Sequence, residues 1–148
     1  MVAAFPALLV LAVLLNVRRT PSIRVRVVGE VLVVELVGLD AVYCARRRVE
    51  VSVDAVEGVG VYERAEVPTE GLRLPGTSVP GVIRAGSYGT GASRDFWDVR
   101  TGRRVLVIGL RPGAEYRRIV LEVARPEELL AELQRSLGPF DRQPITPV

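Results

Sequence analysis

The stretch Gly86–Ser93, GSYGTGAS, carries two glycines at the spacing of a phosphate-binding loop and ends on a serine. Such a loop needs a lysine after the second glycine to reach the β- and γ-phosphates. It also needs a strand before it and a helix after it, so that helix N–H groups face the anion. Ala92 stands where the lysine belongs. The flanking runs GVIRA and RDFWDVR both read as strands, and glycines at a hairpin connection account for the segment without a ligand.

The remaining reactive residue types are few. Asp95 and Asp98 flank Phe96-Trp97, but three residues apart on a strand they point to opposite faces and read as surface and turn residues, not as a general acid and base. Cys44 is the only cysteine and there is no histidine, which removes an internal disulfide, a His/Cys metal cluster and the usual base of a serine or cysteine nucleophile. Between Tyr43 and Ala45, Cys44 reads as a small buried hydrophobe. The expectation is a protein that is not an enzyme, with no catalytic residue, no cofactor and no metal.

Charge narrows the partners. The net charge of +3 comes from twenty basic residues, all of them arginine, a bias we attribute to high-GC coding. A modest positive balance suits an anionic membrane surface or nucleic acid. Single-stranded and RNA-binding modes need aromatic stacking platforms, and with only 5% aromatic residues the chain is not expected to bind nucleic acid.

The first seventeen residues, MVAAFPALLVLAVLLNV, contain no charged side chain and lead directly into Arg18 and Arg19. At about 1.5 Å per residue a helix over residues 1–17 spans roughly 25 Å, and snorkelling arginines supply the rest of a roughly 30 Å hydrocarbon layer. A secretory signal has its positive charges before the apolar run, whereas here Arg18, Arg19, Arg24 and Arg26 all follow it. The arginines predict a single-pass anchor in the inner membrane with the rest of the chain cytoplasmic. The same run also fits an apolar helix packed in a core or subunit interface, and a start upstream of Met1 stays open.

Beyond Pro21 the pattern is that of strands. IRVRVV and VLVVELV flank Gly29-Glu30, a tight turn. VYCARRRVEVSV puts Val49, Val51 and Val53 on one face against Arg48, Glu50 and Ser52. EGVGVYER, GVIRAGSY, RDFWDVR, RVLVIGL and RRIVLEV follow, with PTEGLRLPGTSVPG and RPGAE as connections, and in the last strand Ile119, Leu121 and Val123 face inward. In RDFWDVR the alternation assigns Asp95, Trp97 and Val99 to the core and turns Phe96, Asp98 and Arg100 outward, which makes Phe96 a candidate partner contact. One helix closes the chain, opened by Pro126, favoured by Glu127 and Glu128, striped with Leu129, Leu130, Leu133 and Leu137 and stopped at Gly138-Pro139. Residues 139–148 read as a disordered tail. The organisation expected is a transmembrane helix over 1–17 and one mainly β domain over 22–138, a small partly open barrel of seven or eight antiparallel strands capped by the helix.

The run LPGTSVPGVIRAGSYGTGASRDFWDVRTGRRVLVIGLRPGAEYRRIVLEVARPEELLAEL resembles the bacterial pleckstrin-homology-like domains, and GEVLVVELVGLDAVYCARRRVEVSVDAVEGV looks like the first hairpin and third strand of that family. The resemblance implies a partly open barrel of two nearly orthogonal antiparallel sheets with a C-terminal capping helix, often beside membrane helices and without catalysis. Its eukaryotic relatives bind inositol phosphates through basic residues around the first hairpin. The resemblance places Arg46, Arg47 and Arg48 on the second strand of that hairpin. Alternation sends Arg47 to the far side, leaving Arg46 and Arg48 as candidate anionic-surface contacts beside the plainer reading of a solvated strand face. The functional expectation is a membrane-anchored domain for protein–protein or membrane-surface interaction. The alternative is a soluble β-barrel protein that binds a small ligand or forms oligomers.

Overall fold

A computed structural model describes residues 22–67, 73–79 and 83–138 of the chain. The expected membrane helix over residues 1–17 and the tail over 139–148 lie outside these residues. Among the described residues no helix is long and apolar enough to cross a membrane.

Two sheets and a closing helix make up the fold. The first sheet has the order β1-β2-β3: β1 (Ile23–Val28), β2 (Val31–Leu36) and β3 (Arg48–Ser52). Gly29 holds a φ of 61° in the β1–β2 turn, a conformation open to glycine at no steric cost. Between β2 and β3 lies a five-residue helix, α1 (Leu39–Tyr43), where the sequence pattern had suggested the start of a strand. Gly38, at φ 66°, turns the chain out of β2, and the Cys44 N–H donates to the Asp40 carbonyl to close a single helical turn. Arg46 and Arg47 therefore lie in the link after α1, not on the second strand of the first hairpin, and only Arg48 enters β3.

The second sheet contains β4 (Val56–Glu63), β5 (Arg73–Val79), β6 (Ile83–Tyr88), β7 (Asp95–Val99), β8 (Arg104–Leu110) and β9 (Arg118–Leu121), in the order β4-β8-β9-β7-β6-β5. β5 runs through a segment that reads as a turn because Pro75 and Gly76 interrupt it. As an edge strand with a register shift between Arg73 and Gly76, it tolerates both. The expectation of purely antiparallel sheets fails at one place: β7 and β9 pair in parallel, Phe96 opposite Ile119 and Trp97 opposite Val120.

The main core lies between the sheets. Leu32, Val34, Val49 and Val51 from the first sheet meet Phe96, Leu106, Ile108, Ile119 and Leu121 from the second, and Leu133 of α2 (Pro126–Leu137) is buried in the same cluster. Pro126 occupies the first turn of α2 and Gly138, at φ 78°, follows its last residue, as the sequence predicts. A second cluster, Val67, Tyr88, Trp97, Val99, Val105, Val107 and Val120, fills the other face of the second sheet.

That second face corrects the reading of β7. All five of its residues are buried, because the strand sits inside a six-stranded sheet with side chains packed on both faces, where alternation no longer separates core from solvent. Trp97 is buried as expected. Phe96 is buried as well, at 0% exposure, with its ring edge-on to Tyr116, so it is not an outward contact residue. Asp95 and Asp98 are likewise interior residues of a strand and not surface or turn residues.

Candidate functional site

α1 presents two faces with different surroundings. Its inner face brings Asp40, Tyr43 and Cys44 against the second sheet. The Asp40 carboxylate pairs with the Arg100 guanidinium, both 2% exposed, and also accepts the backbone N–H of Ser22 at 2.5 Å. The Arg100 guanidinium lies 5.3 Å from the centre of the Tyr43 ring. On the sheet side, the Glu122 carboxylate accepts the backbone N–H groups of Arg100 at 2.7 Å and Gly102 at 3.0 Å, which fixes the turn leaving β7. A Cβ at Gly102 would sit 2.5 Å from the Glu122 carboxyl carbon, so a larger residue there would push this carboxylate aside.

Asp98 lies at the centre of this cluster. It is fully buried, with the Cys44 thiol beside it and no nitrogen or oxygen donor to either carboxyl oxygen among the described residues. Burial pushes its carboxyl up to about 8; the negative charges of Asp40 and Glu122 push the same way and outweigh the nearby Arg100. A neutral acid is the form this site holds at neutral pH. Cys44 is 3% exposed, its Sγ 3.7 Å from the Trp97 carbonyl oxygen; burial first, then Asp98 and Asp40, push its thiol far up, so it is an inert interior group. Asp95 faces the other way, as the three-residue spacing requires, and accepts Arg117 Nε at 3.1 Å, Arg117 Nη2 at 3.0 Å and Arg118 Nε at 2.8 Å. Asp95 thus ties Arg117 and Arg118 to β7, while Asp98 is enclosed on the opposite face, and neither carboxyl reaches the surface.

The outer face of α1 is open. Val37, Gly38, Ala41 and Val42 border a groove of about 530 Å³ whose other walls are Glu35, Leu36, Arg47 and Arg48. A second groove, of about 510 Å³, lies toward the far end of the first sheet, lined by Glu50, Asp54, Glu115 and Arg111.

The arginines singled out in the sequence divide by partner. Arg46 bonds the Glu115 carboxylate and donates to the Tyr116 hydroxyl at 2.8 Å; the Glu115 bond raises its already high value and holds the Glu115 carboxyl below its usual range. Arg48 lies between Glu35 at 3.6 Å and Glu50. Together with Arg26, which pairs with Glu35 at 2.9 Å, these charges frame Val33, 1% exposed at the centre of the sheet's outer face. Arg46 and Arg48 thus have their charges compensated within the domain. Arg47, which alternation had sent to the far side, is exposed and its side chain has no partner among the described residues. The signal that would have found it is the helix in GLDAVY, because a turn there releases the arginines from strand alternation.

GSYGTGAS joins β6 to β7, with a three-residue 3₁₀ turn, Gly91–Ser93, and no α-helix after it. The N–H groups of Ser93 and Arg94 are taken by the carbonyls of Thr90 and Gly91, at 3.1 and 3.4 Å, so they do not project toward an anion. Among the described residues no group of three or more acidic or cysteine side chains is arranged to hold a metal ion. No protein-family model, curated protein or solved structure matches this chain.

Proposed function

We propose that the protein is a non-catalytic, membrane-anchored interaction domain of the bacterial pleckstrin-homology-like kind, held at the inner membrane by its first seventeen residues with the β domain on the cytoplasmic side. The observation that carries the reading is the charge-free run over residues 1–17 with every nearby arginine on its C-terminal side. The mainly β domain of two sheets, ended by a proline-opened helix whose Leu133 enters the core, agrees with this reading in outline, and the parallel β7–β9 pair departs from it. A non-catalytic role is supported by the positions of the acids: Asp95 is engaged by two arginines and Asp98 is sealed beneath α1. What such a domain offers is surface, and its business is contact with lipid or with a protein at the membrane.

Carbonate extraction of membranes together with a C-terminal reporter fusion tests this reading. A protein that stays in the carbonate pellet and reports a cytoplasmic C-terminus supports it. One that washes off, or reports the domain outside, overturns it.

A further inference from the structure

Among the described residues four large apolar side chains stand out into solvent, and three of them lie on one short turn: Val37 at 39%, Leu39 at 46% and Val42 at 69% exposure. Single exposed apolar residues need no explanation, but a cluster of three on one turn, of which Val37 and Val42 border a groove, marks a contact surface. The cluster cannot relax inward, because Asp40, Tyr43 and Cys44 fix the other side of α1 to the second sheet. Arg47, an exposed cation whose side chain has no partner among the described residues, stands on the wall of the same groove. Apolar side chains beside an exposed cation match the boundary between acyl chains and anionic headgroups.

The chain's path gives the location. The Val37 N–H donates to the Ser22 carbonyl at 2.9 Å, which ties the turn to the point where the polypeptide enters the domain. From Val17, the end of the uncharged run, to Ser22 is five residues, a reach of at most about 18 Å. A first segment seated in a bilayer therefore keeps this turn close to the headgroups. The opposite end of the first sheet, about 20 Å away along a six-residue strand, carries Glu30 at the hairpin and a groove where Asp54 lies near Arg111.

We propose that Val37, Leu39 and Val42 insert into the headgroup layer of an anionic bilayer, with Arg47 on its lipid phosphates. The contact rests on the anchored reading above, in that it uses the same membrane that the first segment enters.

The test uses the full chain carrying Val42→Cys in a Cys44→Ala background, labelled with an environment-sensitive fluorophore and reconstituted into vesicles of neutral or mixed neutral and anionic phospholipid. An Asp54→Cys chain serves as the far-end control, and Trp97 fluorescence reports folding in each variant. Flotation measures anchoring separately from contact. The expected result is flotation in both lipids, blue-shifted emission at residue 42 quenched by shallow spin-labelled lipid in anionic vesicles, and water-like emission at residue 54. Arg47→Gln should lower the lipid-contacting population about five-fold without changing flotation. Flotation with water-like emission at residue 42 overturns the contact and leaves the anchor standing, and failure to float overturns both. Blue emission at residue 42 that lipid quenchers do not reach means that protein covers the turn, and this also overturns the contact.

Discussion

Asp40 and Arg100, sixty residues apart in the chain, form a buried ion pair that fastens α1 to the end of β7. Each is 2% exposed, so removing either one takes from a buried charge its ion-pair partner. Removing one partner of such a pair costs about 3 to 5 kcal/mol, whereas replacing both by apolar groups of similar size is far milder. Arg100→Met and Asp40→Leu should each sharply lower the urea midpoint, and the double variant should recover much of the loss. Trp97 fluorescence checks this. Additive losses in the double variant would show that the two side chains stabilise the fold separately.

Asp98 should give the fold an unusual pH dependence. Its carboxyl is raised from the ordinary 3.8 to about 8 by burial and neighbouring carboxylates, so between these values the folded protein holds a proton that the unfolded chain has released. The unfolded state binds fewer protons, and this residue's contribution therefore makes stability fall as pH rises through that window, by at most about 1.4 kcal/mol per unit. Asp98→Asn removes the effect. Unfolding midpoints of the two proteins at pH 5, 6, 7 and 8 should show the variant gaining steadily on the parent as pH rises. Parallel curves would show that Asp98 titrates normally.

Phe96 and Trp97 should be equally intolerant of truncation. Both are at most 1% exposed, on opposite faces of β7, and Phe96→Ala or Trp97→Ala should each cost about 3 to 5 kcal/mol. The native protein should show blue-shifted Trp97 emission that acrylamide quenches poorly. A folded Phe96→Ala protein of parental stability would place that ring at the surface.

These two residues also mark what the sequence could reveal. Strands bounded by glycine and proline, the Gly29-Glu30 turn and the closing helix were legible because their signals are local. The face assignment in β7 was only half legible. Trp97 obeyed alternation, while Phe96 did not, because the central place of β7 between β9 and β6 is a property of topology that no local pattern records. The parallel β7–β9 pairing is hidden for the same reason. In the candidate site, the arginine trio was visible as a charge run, but its division into paired Arg46 and Arg48 and exposed Arg47 depends on Glu115, brought there from about seventy residues away, and on α1, too short to leave a periodicity.

The glycine loop should behave as a structural turn. Gly89 has a φ of 86°, and a Cβ there would lie 2.5 Å from the Ser93 carbonyl oxygen; Gly91, at φ 56°, has open space around it. Gly89→Ala should therefore destabilise clearly more than Gly91→Ala, whose cost is the roughly 1 kcal/mol of a left-handed alanine. Thermal unfolding of the two variants decides the order. Equal losses would mean that the Ser93 carbonyl yields freely.

The central claim, a β domain held on the cytoplasmic side of a membrane by residues 1–17, is tested most directly by trypsin on oriented vesicles. The chain has no lysine and its first arginine is Arg18, so trypsin can cut only outside the uncharged run. With the cytoplasmic face outward, the account predicts digestion of the domain and retention in the membrane pellet of a fragment ending at Arg18 or Arg19. Vesicles of the opposite orientation should protect the chain. Release of that N-terminal fragment into the supernatant, or digestion only when the outer face is exposed, would contradict the account.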